Sequence, residues 1–138
     1  MRVSMPCSPG ISSPFHSTAT SSLLSLTRQE LRIARHSTIG VSVRILCLHP
    51  TAGVVQQLVG LRAGSALAED ILAGVTAWTI HVLEGRLRLV GGRPSWIGLP
   101  GDLFVGHPGD QHLCAERDTA LLVTTVRPHA TSSTPANP

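Results

Sequence analysis

Short apolar runs, most of them separated by glycine, proline or aspartate, follow one another along most of this 138-residue chain. In the first run, apolar side chains recur at every second position, with Val41, Val43 and Ile45 on one face. Alternation with a period of two is typical of a β-strand that buries one face. Because no helical pattern separates the runs, they predict an all-β, antiparallel sandwich or barrel. The runs are 41–48, 54–62, 76–83, 86–90, 95–99, 103–105, 111–115 and 120–126.

The breaks between these runs have the turn chemistry of a barrel. Glu84-Gly85 and Gly91-Gly92 supply residues that tolerate a positive φ, which tight hairpins require. Pro100 fixes φ, and the glycine and aspartate after it then redirect the chain. A closed barrel removes exposed sheet edges, and a small barrel can hold one small ligand in its mouth. Functional side chains are therefore expected to point inward.

One short helix is predicted before the strands, over residues 26–36. Thr27 and Glu30 have the spacing of a capping box, in which a hydroxyl and a carboxylate satisfy free amides at a helix start. The pattern ends before Gly40. The apolar stripe of this helix is expected to consist of Leu26, Leu31 and Ile33.

Both ends of the chain are rich in serine, threonine and proline. Segments of this composition bury too little apolar surface to offset the entropy cost of folding. Residues 1–24 and 129–138 are therefore predicted to be disordered tails. The folded domain is expected to span 25–128.

The composition limits the kinds of partner that this chain is expected to bind. The net charge is +3, all of the basic residues are arginine, and they are dispersed rather than clustered, so nucleic-acid binding is not expected. No apolar run approaches the roughly 18 residues of a membrane helix, so no membrane association is expected either. The three cysteines are too far apart for a zinc motif or a disulfide framework. The expected location is the cytoplasm.

The stretch 64–127 resembles the cupin family. VLEGRLRL at 82–89 is similar to the central hairpin of that family, and LLVTTV at 121–126 is similar to its closing strand. GDLFVGHPGDQH at 101–112 resembles the second cupin motif, G-x5-P-x-G-x2-H, with His112 at its histidine and His107 where the motif has proline. The resemblance implies a single cupin-type antiparallel β-barrel (a jelly roll or double-stranded β-helix) with one short N-terminal helix. It also implies a homodimer.

The first cupin motif, G-x5-H-x-H-x3,4-E-x6-G, is degenerate in this sequence. Counting from Gly64 places Asp70 and Leu72 at its two histidine positions, and counting back from Gly85 places Trp78 at its glutamate. The family holds its metal with three histidines and one glutamate, and only His112 remains. We therefore expect no cofactor and an incomplete metal site.

A substituted metal site is the alternative. His112 and Asp70 are the candidate ligands for a divalent transition metal, and Glu69 and His107 are further donors. At least three of these side chains would have to converge within a few Å of one point. In that case the resemblance implies a metal-dependent enzyme of the dioxygenase or isomerase type.

An apolar pocket is the main functional hypothesis. Trp78, Ile80 and Val82 share one face of a strand, and with His107 and His112 they form the predicted ligand pocket. A cavity with apolar walls and few polar groups suits a small organic molecule. The competing interpretation is that the tryptophan and its neighbours only fill the core. A third hypothesis, a regulatory module that binds another protein, has no direct support in the sequence.

Overall fold

The computed structural model describes residues 22–49, 51–90, 96–106 and 112–128. The predictions for residues 1–21, Gly91-Gly92 and 129–138 lie outside this part of the chain. None of the described helices is long and apolar enough to span a membrane. In chain order the described elements are α1 Leu23–His36, β1 Val41–His49, β2 Val54–Leu61, α2 Glu69–Leu72, β3 Ala77–Glu84, β4 Leu87–Val90, β5 Trp96–Gly98, β6 Leu103–Gly106, β7 His112–Ala115 and β8 Thr119–Val126.

The start of α1 corrects the predicted capping box. The helix is capped by Ser22, whose Oγ accepts a hydrogen bond from the backbone N–H of Ser25 at 3.2 Å. Thr27 and Glu30 lie inside the helix instead, because their three-residue spacing also places them on one helical face. The helix therefore begins at Leu23, two residues inside the segment predicted to be a tail.

The buried stripe of α1 is more polar than expected. Leu31 is buried as predicted, whereas Leu26 is only partly buried and Ile33 is 47% exposed. The helix lies against β1 and β2, where Ser42 and Arg44 hydrogen-bond to the Glu30 carboxylate. The helix thus covers one face of the first two strands through polar as well as apolar contacts. Its buried residues are Thr27, Glu30, Leu31 and Ala34.

Two antiparallel sheets form the body of the domain. The larger has the strand order β1-β2-β8-β3-β6, and the smaller has the order β5-β4-β7. The core cluster combines Ile80 and Leu121 of the large sheet with Leu87 and Leu113 of the small one. The two sheets therefore face each other across one apolar core, which is the arrangement of a jelly roll.

The predicted hairpin at Glu84-Gly85 is wrong. The strand before it, β3, belongs to the large sheet, and the strand after it, β4, belongs to the small sheet. Gly85 has φ +96°, and a Cβ at this position would lie 2.4 Å from the backbone oxygen of Asp118. The glycine is needed for this crossing between sheets rather than for a hairpin. β4 and β5, by contrast, do pair as neighbours.

The four-residue helix α2 corrects the expectation that only strands follow α1. It lies between two segments that complete the core through Leu67 and Val75, and its own Ile71 is buried. One helical turn is too short to show a helical period in sequence. Its position matters for function, because it carries Glu69 and Asp70.

Candidate functional site

The mouth end is the end of the sandwich where β3 begins, β8 ends and β7 begins. There, Trp78 on β3 lies directly opposite Thr125 on β8 and Gly106 on β6. Side chains directly opposite each other in a sheet lie on the same face. Because Trp78 is only 4% exposed and belongs to the core cluster, this row faces the interior.

Gly106 makes room for the indole of Trp78. A Cβ at Gly106 would lie 2.5 Å from Cζ2 of the indole, far inside van der Waals contact. On the other side of the row, Thr125 lies opposite the partly buried Val55 on β2. Among the described residues, this row therefore lines the interior of the mouth end with one large aromatic ring, aliphatic groups and one hydroxyl.

The hydroxyl of Thr125 is the unusual group in this row. It is buried, and among the residues that the structure describes it has no hydrogen-bond partner. Thr119, on the same strand, is equally buried, but its Oγ1 donates to a backbone carbonyl of Arg117 at 2.6 Å and accepts from the N–H of Arg86 at 3.0 Å. Buried polar groups in folded proteins are nearly always satisfied, so an unpartnered one calls for a physical explanation.

Ile80 and Val82, two predicted pocket residues, continue inward along β3 from Trp78. Both are 0% exposed, and Ile80 lies opposite Val123 and Phe104. They fill the core at increasing distance from the mouth. Of the predicted apolar set, Trp78 therefore lies nearest the mouth end.

His112 lies on a different face from these residues. Its strand, β7, buries Leu113 and Ala115 and exposes His112, whose side chain is 59% accessible. Because successive strand residues point to opposite faces, His112 points away from the core. Its Nδ1 lies 3.9 Å from Oε2 of Glu69 on α2.

The remaining predicted ligands are not brought together in the described part of the chain. His107 lies outside the described residues. Asp70 is exposed beside Glu69 on α2, where consecutive side chains are about 100° apart around the helix axis. The contact between Glu69 and His112 is therefore the only meeting of predicted donors among the residues described.

Comparisons with solved structures identify the fold. No family model and no curated protein matches the chain. A cupin superfamily protein from Desulfitobacterium hafniense DCB-2 aligns with a TM-score of 0.55 and 15% identity, over 64% of this chain and 78% of that chain. An RmlC-like cupin from Shewanella frigidimarina NCIMB 400 aligns with a TM-score of 0.55 and 15% identity, over 67% and 80%. The chain has a cupin fold.

Proteins with the cupin fold that resemble this chain include an enzyme. An acetylacetone dioxygenase from Acinetobacter johnsonii aligns with a TM-score of 0.55 and 13% identity, over 63% of this chain and 60% of that chain. At this identity the likeness concerns the fold alone. The chemistry of the present cupin fold must be argued from its own side chains.

Two of the predicted metal donors, Glu69 and His112, lie near each other among the described residues. No group of three or more histidine, cysteine, aspartate or glutamate side chains converges within 22–49, 51–90, 96–106 and 112–128. Transition-metal sites with open positions for substrate use three or more protein ligands. The described pair of Glu69 and His112 would supply two.

The end of the barrel opposite the mouth is strongly charged. An open cleft of about 520 Å³ lies there, with Asp118 in its wall. Asp118 and Glu116 both form ion pairs with arginines. The backbone N–H of Ala63 and the guanidinium of Arg35 hydrogen-bond to Asp118 and hold its pKa below the ordinary value. The guanidinium groups of Arg86 and Arg88 lower the pKa of Glu116 in the same way. Asp118 thus links the segment before β8 to α1 and to Ala63, and Glu116 links it to Arg86 and to Arg88 on β4, which is a structural role.

Sequence reasoning missed Thr125, although a signal for it was present. In the run 120–126, Leu121, Val123 and Thr125 occupy alternate positions and therefore share a face. A threonine that continues an inward-facing row of aliphatic residues indicates a polar group in the interior. That its hydroxyl has no partner among the residues described follows only from the three-dimensional arrangement.

Proposed function

We propose that this cupin-fold chain is a non-catalytic barrel that binds or senses a small, uncharged organic molecule at its mouth end. The observation that carries the proposal is the buried hydroxyl of Thr125, which lacks a partner among the described residues and lies beside Trp78. A ligand that hydrogen-bonds to this hydroxyl would remove the cost of leaving it unsatisfied. The aromatic ring would supply most of the contact area.

The surroundings define the chemical class of the ligand. Among the described residues, Glu30 is the charged side chain that is buried. It lies between α1 and β1 and not in the interior of the barrel. Burying an ionised ligand without a partner of opposite charge is costly. A threonine hydroxyl both donates and accepts. The favoured ligand is therefore a neutral molecule with an apolar body and one carbonyl, ether or hydroxyl group.

Thermal-shift screening with a panel of small neutral and anionic organic molecules tests this proposal. Neutral compounds with one polar group should raise the melting temperature of the wild type, because a ligand that binds only the folded state stabilises it. Thr125→Val should abolish the shift. Thr124→Val is the matched control, because Thr124 lies on the opposite face and contacts Gln56. Equal shifts in wild type and Thr125→Val would overturn the proposal.

Fluorescence locates the bound molecule. The chain has two tryptophans, Trp78 and the 41% exposed Trp96. In a Trp96→Phe background, the emission of Trp78 alone should change as ligand is added. An unchanged emission together with a clear thermal shift would place the ligand elsewhere on the protein.

The second candidate is a metal-dependent cupin enzyme of the dioxygenase or isomerase type. The distance of 3.9 Å between Nδ1 of His112 and Oε2 of Glu69 favours it, since both are ligand types of divalent transition metals. In such a site a bound metal would polarise a substrate oxygen. His112 and Glu69 would hold the ion together with further donors.

Metal analysis separates the two candidates. The purified chain, incubated with each of Fe²⁺, Mn²⁺, Ni²⁺ and Zn²⁺ and then desalted, should retain well under one equivalent if the barrel is non-catalytic. Retention of one equivalent that is lost in both His112→Ala and Glu69→Gln would favour the enzyme. His81→Ala is the control, because His81 lies in the middle of β3 rather than at the mouth end.

A further inference from the structure

An open cleft lies at the end of the barrel opposite the mouth, between the segments 84–86, 99–100 and 117–118. Its volume of about 520 Å³ is within the range of small-molecule sites, roughly 300–1,000 Å³. Along β3, Ile80 and Val82 lie between this end and Trp78 at the mouth. The cleft is therefore a second candidate site, and its role does not rest on the function proposed above.

Hydrogen bonds hold the three segments of the cleft in place. Oγ1 of Thr119 joins two of them, because it accepts from the N–H of Arg86 at 3.0 Å and donates to the carbonyl of Arg117 at 2.6 Å. The third segment is tied to β3 by the N–H of Gly101, which donates to the carbonyl of Val82 at 2.8 Å. A site whose walls are already ordered loses less entropy when a ligand binds. The cleft is therefore pre-formed for a ligand.

Only some of the charged side chains in the cleft already have partners. Asp118 and Arg86 are each held by an ion pair to a residue outside the cleft. Glu84 and Arg117 are exposed, and neither makes an ion pair within the part of the chain that the structure describes. One carboxylate and one guanidinium, on two different segments, are thus available to a ligand.

Leu99 and Pro100 add an apolar surface to the cleft. Leu99 is 46% exposed although its side chain is aliphatic, and Pro100 beside it is also exposed. Two hydrogen bonds fix the backbone here: the N–H of Leu99 donates to Oδ2 of Asp102 at 2.8 Å, and the N–H of Asp102 donates to the carbonyl of Leu99 at 2.8 Å. An aliphatic group of a ligand would be stabilised by covering this surface.

We propose that this cleft binds a dipeptide with free termini, whose ammonium group pairs with Glu84 and whose carboxylate pairs with Arg117. An anionic ligand would bring its charge close to the carboxylates of Glu84 and Asp118, which repel it. A cationic ligand would lie close to the guanidinium groups of Arg86 and Arg117. A zwitterion meets an opposite charge at both ends, and an apolar side chain of the dipeptide covers Leu99.

The size of the cleft fits a dipeptide. A sphere with the volume of the cleft is about 10 Å across. An extended dipeptide is about 7 Å long, so its two termini can reach charged groups on different segments of the cleft. Because Glu84 and Arg117 are exposed, their ion pairs with the ligand are weakened by water and salt. The dissociation constant is therefore expected to be about millimolar.

Titration of the full chain with the dipeptide alanyl-leucine, followed by NMR of the backbone amides, tests the proposal. The amide signals of 84–86 and 117–119 should shift, and their dependence on concentration gives the affinity. Acetylating the amino terminus of the dipeptide removes its positive charge, and amidating its carboxyl terminus removes the negative one. Each of these two caps should weaken binding to the wild type by about two- to fivefold.

Two variants assign the two ends of the dipeptide. Glu84→Gln should no longer distinguish the acetylated from the free dipeptide, yet should still be sensitive to amidation. Arg117→Gln should show the reverse pattern, which a merely structural role of either residue would not produce. Asp70→Asn and Arg32→Gln are the matched controls, because both residues are exposed and lie outside the cleft. Both controls should respond to the two caps as the wild type does.

Three outcomes would overturn the proposal: no shift of any cleft amide at about 20 mM dipeptide, shifts confined to other parts of the barrel, or equal responses to both caps in Glu84→Gln and Arg117→Gln. Circular dichroism checks that each variant folds. If a variant does not fold, the wild type alone decides, because its affinity should fall as salt is added. An affinity that neither salt nor the caps alter would contradict the proposed ion pairs.

Discussion

Glu30 on the N-terminal helix and Arg44 on the first strand form an ion pair with 2.7 Å between Oε2 and Nε. The Glu30 side chain is 3% accessible, and its other oxygen accepts a hydrogen bond from the hydroxyl of Ser42 at 2.7 Å. The Arg44 side chain is 36% accessible. The Glu30 carboxylate thus links the helix to the edge of the large sheet. Because this carboxylate is buried, hydrogen bonds from Arg44 and Ser42 take the place of water around it.

Removing the two partners of this pair should have unequal effects. Arg44→Ala leaves a buried carboxylate without a cation and should lower the free energy of unfolding by about 2–4 kcal/mol. Glu30→Ala leaves an arginine that can reach water, so the loss should be smaller, about 1–3 kcal/mol. The double variant should be more stable than Arg44→Ala alone. Urea unfolding measures all three, and an Arg44→Ala variant as stable as wild type would contradict this ordering.

Gly106→Ala tests the packing of the mouth end. The added methyl group would lie 2.5 Å from Cζ2 of Trp78, so the indole must move. Overpacking of this kind costs about 1–3 kcal/mol. In a Trp96→Phe background the emission maximum of Trp78 should also shift, because its ring environment changes. An unchanged emission and unchanged stability would show that the indole is not confined by β6.

The turn held by Asp118 should make stability depend on pH. The pKa of Asp118 in the folded state lies below its ordinary value, so its contribution is present above that value and is lost as the pH falls through the folded-state pKa. Asp118→Asn should therefore be less stable than wild type at pH 7. The difference should shrink as the pH falls from about 5 towards about 2. Asp70→Asn, at an exposed site on α2, serves as the control, and a difference that stays constant with pH would contradict the assignment.

Much of the barrel follows from local sequence. Alternation in 76–83 places Trp78, Ile80 and Val82 on one face, and that face is buried, because one face of each strand must bury apolar area. Which sheet a strand joins does not follow from alternation. The turn residue Gly85 fixes a backbone conformation, but the crossing to the small sheet depends on contacts with Asp118 and Thr119, more than 30 residues away.

The candidate site was less predictable than the fold, because its geometry also depends on contacts between residues that are distant in sequence. The position of His112 in a motif indicates a ligand, but its direction depends on the phase of β7, which is set by the burial of Leu113 and Ala115. The contact between Glu69 and His112 depends on α2, which has too few residues to show a helical period. The role proposed for Thr125 depends on its hydroxyl having no hydrogen-bond partner among the described residues, which no residue pattern encodes.

The free energy of unfolding of Thr125→Val, compared with that of Thr119→Val, tests most directly whether the mouth end keeps a polar group free for a ligand. Thr119→Val should lose about 1–3 kcal/mol, because it removes a hydroxyl with partners and leaves the N–H of Arg86 without one. Thr125→Val should be as stable as the wild type or more stable by up to about 1 kcal/mol, since it removes a hydroxyl that has no partner within the described part of the chain. If Thr125→Val loses as much stability as Thr119→Val, the hydroxyl is already satisfied in the free protein, and the proposed ligand site is contradicted.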